Sequence, residues 1–130
     1  MATLVRLIKP NTKPSAWAVE RLEHAAEADL RWLSQALRDD ARKWFVANTA
    51  SAARSFSDAL FEPMLLAGIE EVAPELNRRF VGPCMRVFGP QRVNEYLLSA
   101  IESGDDLQKA GAVNALVWAE VLPREKRWLA

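Results

Sequence analysis

At 130 residues the chain suits one domain with one hydrophobic core, its 50% apolar and 26% charged residues are close to those of an ordinary soluble globular protein, and seven Pro and five Gly are spread as punctuation and not clustered as a disordered tract. Lys+Arg and Asp+Glu balance at 17 each, so no global field steers the protein onto nucleic acid or an acidic membrane, although a local basic face is compatible with that balance. In chain order, residues 1–14 form a lead-in whose Thr3–Ile8 suits a short strand or a helical turn, stopped by Pro10 and Pro14. Ser15 is a good N-cap, and Trp17, Leu22, Ala25, Ala26, Leu30, Leu33 and Leu37 then recur at helical spacing. They predict one long helix over about 16–37. Asp39 and Asp40 break it, and a second helix runs from Ala41 to about Ser51.

Ser57 and Asp58 start a third helix with the stripe Leu60, Phe61, Met64, Leu65, Ile69 and Val72. Pro63 in its second turn displaces the start or bends it. Pro74 and Glu75 open a fourth, with Leu76, Phe80, Cys84, Val87 and Phe88 inward and Pro83 as a kink. Gly89-Pro90 ends that helix and begins the next, whose inward residues are Val93, Tyr96, Leu97, Leu98 and Ile101. Gly104 closes it. Asp105 begins the last helix, to about Val121, and residues 123–130 follow as a tail or short cap. No stretch alternates with period two between hairpin turns, so the chain is expected to be all-α: a single helical domain over residues 15–122.

The starts of alternate helices can be set in register. Asp39-Asp40-Ala41-Arg42-Lys43, Pro74-Glu75-Leu76-Asn77-Arg78 and Asp105-Asp106-Leu107-Gln108-Lys109 each place an acid first or second and a cation fifth. Phe45-Val46 matches Phe80-Val81, and Asn48 matches Asn114. The offsets are 35 and 31 residues (39 to 74 and 74 to 105), a period that signals stacked units. One helix pair cannot bury its apolar stripe alone, whereas stacked pairs share a continuous core.

These residues resemble the HEAT-repeat family, in particular the short HEAT-like repeats of bacterial proteins. The clearest copy is Ile101–Leu116, IESGDDLQKAGAVNAL. The resemblance covers about residues 20–121 and implies an α-α superhelix, a short solenoid of three antiparallel helix pairs. In the family an Asp and a cation commonly form a ladder between neighbouring repeats. The resemblance implies that role for Asp39, Lys43, Asp105 and Lys109, with Glu75 and Arg78 serving in the second copy, where Pro74 stands in the Asp position.

If the ladder cation points along the stack, the next residue faces the concave groove. Helical spacing then selects Trp44 and Asn48, then Arg79, Pro83 and Arg86, then Ala110, Asn114 and Trp118. Trp and Arg are enriched among interface hot spots, so Trp44, Asn48, Arg79, Arg86, Asn114 and Trp118 are the candidate partner-binding residues. Placement of both Trp in the core is the competing reading.

Catalytic chemistry finds little support. His24 is the only histidine and sits in an amphipathic helix. Cys84 lies on the apolar stripe between Phe80 and Phe88, where a free cysteine packs as a small hydrophobe. Metal binding has little support, since one His and one Cys cannot make a zinc quartet, and no phosphate-loop, dinucleotide or hydrolase motif occurs. No metal or cofactor is expected. A lone cysteine excludes an intrachain disulfide and fits a reducing compartment, no run reaches a membrane span of about 18–20 apolar residues, and MATLVRLIKPNTK lacks the features of a signal peptide. The expected setting is cytoplasmic.

The expected function is a non-catalytic protein-interaction module that takes another protein or peptide in its groove. The sequence leaves open whether the ends of the stack pair into a homodimer. Two alternatives come with the resemblance: nucleic-acid binding of the DNA alkylation-repair glycosylase kind, and an accessory role like that of HEAT-like bilin lyases.

Overall fold

A computed structural model describes residues 13–125, and the side chains of residues 13–121. The described residues form seven α-helices packed against one another and no strand, an all-α fold consistent with a helical-repeat architecture. Contacts group the chain into two compact units that divide between Met64 and Leu65. The first twelve and last five residues of the expected lead-in and tail lie outside the described part.

The first unit holds α1 (Ala16–Glu23), α2 (Glu27–Ala36), α3 (Lys43–Ala52) and a 3₁₀ turn at Asp58–Leu60. Ser15 caps α1 as expected, its hydroxyl accepting from the Ala18 N–H at 3.1 Å. The long helix expected over 16–37 is, however, two helices. α1 stops at Glu23, and Ala26 is extended (φ −80°, ψ 170°). Asp29, the third residue of α2, accepts from the Ala26 N–H at 3.0 Å, so its carboxylate satisfies a backbone donor that a continuous helix would have paired internally. Glu23 reaches across the unit, its Oε2 accepting from the Arg54 N–H at 2.6 Å. α1 packs on α3, and α2 on both α3 and the 3₁₀ turn, around Leu22, Leu33, Ala36, Leu37, Val46, Ala47, Ala50 and Leu60.

α4 (Phe61–Glu70) carries the chain across the division between the units. It starts late enough to place Pro63 in its first turn, where a missing N–H costs no helical hydrogen bond. It ends before Val72, which is 92% exposed and not on the expected inward stripe.

The second unit contains a 3₁₀ turn at Pro74–Leu76, α5 (Arg78–Phe88), α6 (Pro90–Ser103) and α7 (Asp106–Glu125). Gly89 separates α5 from α6 with φ 93°, a conformation that favours glycine. Gly104 and Asp105 join α6 to α7, the most extensively packed pair. Asp105 Oδ1 accepts from the Gln108 N–H at 2.8 Å and Gln108 Oε1 from the Asp105 N–H at 3.1 Å, a reciprocal cap. α7 continues through Pro123 to Glu125, so residues 123–125 belong to the last helix and not to a separate tail.

The core of this unit is Phe80, Val81, Cys84, Met85, Val93 and Leu97, against the small face Ala112, Ala115 and Ala119 of α7. Gly111 completes that face. A Cβ there would fall 1.8 Å from the Ile69 carbonyl oxygen, so only glycine lets α7 approach the end of α4 this closely. Asn77, fully buried, donates its amide to the Gly68 and Glu71 carbonyls and so satisfies acceptors that the end of α4 leaves open.

Candidate functional site

The residues singled out for a groove do not share one environment. Trp44 and Asn48 are buried in the first unit, 8% and 7% exposed, so neither presents a surface to a partner. Of the two readings of Trp44, the core reading is the observed one. Arg79 and Arg86 are half-buried on α5, and burial lowers the pKa of both guanidinium groups, with the adjacent Arg78 charge adding to the effect at Arg79. Asn114 is exposed on α7. Trp118 is half-buried; its indole N–H donates to the Pro74 carbonyl at 2.9 Å, and Arg78 lies 5.7 Å from its ring centroid. Trp118 therefore ties the 3₁₀ turn to α7.

The acids of the expected ladder act on their own turns. Asp39 Oδ1 accepts from the Ala41 and Arg42 N–H groups at 2.7 and 3.2 Å, while the Lys43 ammonium pairs with Asp40 at 3.2 Å. Asp105 caps α7, with Lys109 exposed one turn later. Glu75 is exposed, and its backbone carbonyl, not its carboxylate, accepts from Arg78 Nε at 3.3 Å. Cys84 is fully buried and burial pushes its thiol pKa well up, with the Arg92 charge opposing; a thiol so placed is no nucleophile.

The surface that stands out lies in the first unit and was not singled out in the sequence. A cavity of about 400 Å³ opens among one face of each of three helices. α1 contributes Trp17, Ala18, Arg21 and Leu22; α2 contributes Asp29, Trp32 and Leu33; Arg42, Phe45 and Thr49 line it at the start of α3 and along that helix. Each set follows the spacing of a single helix face. The floor is buried: Ala18, Leu22, Leu33 and Thr49 are 6% exposed or less, and the Thr49 hydroxyl donates back to the Phe45 carbonyl at 2.6 Å. The rim is aromatic and open, with Trp17 at 56% and Trp32 at 40% exposure. Trp32 meets Phe45 edge to face, centroids 5.8 Å apart and planes at 86°.

The rim is braced by charge. Arg21 Nε and Nη2 each donate to a different oxygen of Asp29 at 3.2 Å, a two-pronged pair bridging the break between α1 and α2. The Arg21 hydrogen bond, then that from the Ala26 N–H, holds the Asp29 carboxyl below the usual carboxylate range, and the same pair raises Arg21. Arg21 also lies 5.9 Å from the Trp17 ring centroid. A second depression, of about 360 Å³, lies against Trp17 and Arg21 with Glu20 and His24. The periodicity places Trp17 on the inward stripe of a continuous helix; ending α1 at Glu23 instead leaves its ring at the cavity mouth.

Among the described residues, no group of three or more His, Cys, Asp and Glu side chains comes together to hold a metal ion, and no helix is long and apolar enough to cross a membrane. Comparison with family models, curated proteins and solved structures finds no match.

Proposed function

We propose that the protein is a non-catalytic, cytoplasmic interaction module of the HEAT-like kind, and that it takes an apolar segment of another protein in the cavity framed by Trp17, Trp32 and Phe45. One observation carries this reading: a buried apolar floor beneath a rim of two open tryptophans. Open Trp rings around a water-excluding floor have the composition of an interface hot spot, and apolar cavities of this size are ordinary binding sites. An occupant must cover the rim as well as fill the floor, which suits a chain segment with one anchoring side chain and flanking residues better than a compact small molecule.

Selection of peptides from a random library on the immobilised protein, followed by titration of the recovered sequences, tests the proposal. The expected peptides share an apolar anchor and lose most of their affinity for Trp32→Ala, whose helical circular dichroism stays unchanged because Trp32 lies at the rim. Peptides that bind this folded variant as well as the wild type would remove the cavity from consideration. Salt-sensitive capture of duplex or single-stranded DNA in place of peptides would favour the nucleic-acid alternative.

A further inference from the structure

We infer that the segment seated in this cavity carries a carboxylate about one helical turn from its apolar anchor; the inference rests on the cavity being the docking site. Among the described residues, the charged side chains of the lining are Arg21, Asp29 and Arg42. Arg21 and Asp29 neutralise each other through their two-pronged pair. Arg42 differs. It is half-buried at the start of α3, and among the described residues its guanidinium has no hydrogen bond, ion pair or ring contact; only its backbone is engaged, its N–H donating to Asp39 and its carbonyl accepting from Phe45.

Among the described residues the wall is thus apolar apart from the Thr49 hydroxyl, which is bonded to Phe45, the mutually paired Arg21 and Asp29, and Arg42. A neutral occupant would leave Arg42 to water at the edge of a site it dries. A cationic occupant would meet a net positive lining. A carboxylate matches the planar fork of the guanidinium and places two acceptor oxygens against it. Arg42 and Phe45 are three residues apart, one turn of the same face of the chain, so an acid on Arg42 and an anchor against Phe45 are separated by about one turn in the occupant too. That spacing fits an amphipathic helix laid into a groove, its acid at i+3 or i+4 from the anchor.

The test uses the full chain and three capped synthetic helical peptides of about four turns. Each has Leu along one face, and they differ only at the position one turn beyond the central Leu, which is Glu, Gln or Lys. Calorimetric titration is expected to rank them Glu, Gln, Lys, with Glu ahead of Gln by up to about five-fold at low salt and the gap shrinking at high salt. The protein has no formal net charge, so the ranking does not arise from its global field. Arg42→Gln should level the Glu and Gln peptides while keeping their apolar affinity, and Arg42→Lys should retain part of the preference. Equal binding of all three peptides to the wild type overturns the carboxylate and leaves the cavity standing. Absence of binding, or binding indifferent to Trp32→Ala, overturns both.

Discussion

Asp29 joins two helices that the sequence runs together. Its carboxylate caps α2 at Ala26 and receives both prongs of Arg21 from α1. Because these bonds hold its folded pKa below the unfolded value of about 3.9, the stabilisation is fully present above that value and drains as pH falls through the folded one. Asp29→Asn should therefore be less stable than the wild type to urea at neutral pH, with the difference closing below about pH 4. A gap that persists in acid would assign the effect to something other than the charge. The sequence held the signal, an acid three residues after Ala26, but His24-Ala25-Ala26 has no residue that forbids a helix, and the apolar spacing continues through it. Gly111 makes a sharper point. Gly111→Ala forces a methyl group onto the Ile69 carbonyl, and thermal unfolding should show a loss of about 1–3 kcal/mol or more, where helix propensity alone would favour alanine.

At the scale of elements, the three helix starts that the sequence sets in register differ in backbone. In the first and third copies the Asp carbonyl accepts from the N–H of the cation residue four positions on, Asp39 to Lys43 at 2.9 Å and Asp105 to Lys109 at 2.8 Å. In the second copy Pro74 starts a 3₁₀ turn and α5 begins only at Arg78, the copy in which the sequence already departs from the pattern. The helices from Gly89 onward were legible because their ends carry strong chemistry: glycine with positive φ, proline at a first turn, and an Asp-x-x-Gln cap. The tryptophans were not. Spacing alone assigns Trp44 and Trp118 the same outward role, yet one is buried and the other is a tether. Trp44→Ala should cost about 3–5 kcal/mol as a core truncation. Trp118→Phe keeps an aromatic ring, smaller than the indole, and loses one hydrogen bond to Pro74, worth about 0.5–1.5 kcal/mol. Denaturant midpoints of the two variants measure that contrast, and equal, negligible losses would return both residues to the surface.

At the scale of the whole molecule, composition and periodicity were enough for the all-α class, because helices with an apolar or small-residue face need no long-range information to be recognised. The candidate site was not legible. It depends on the break after Glu23, which turns Trp17 from a stripe residue into one wall, and on the convergence of α1, α2 and α3, which no single-helix pattern encodes. The function proposed here accordingly moves from a groove along the repeats to one cavity in the first unit. The indole N–H resonances of the tryptophans distinguish the two most directly. In a titration with the Glu-bearing helical peptide followed by ¹H–¹⁵N correlation spectra, the signals of Trp17 and Trp32 should shift with a common saturation curve while those of Trp44 and Trp118 stay in place. Shifts at Trp44 and Trp118 with Trp17 and Trp32 unmoved would contradict the account.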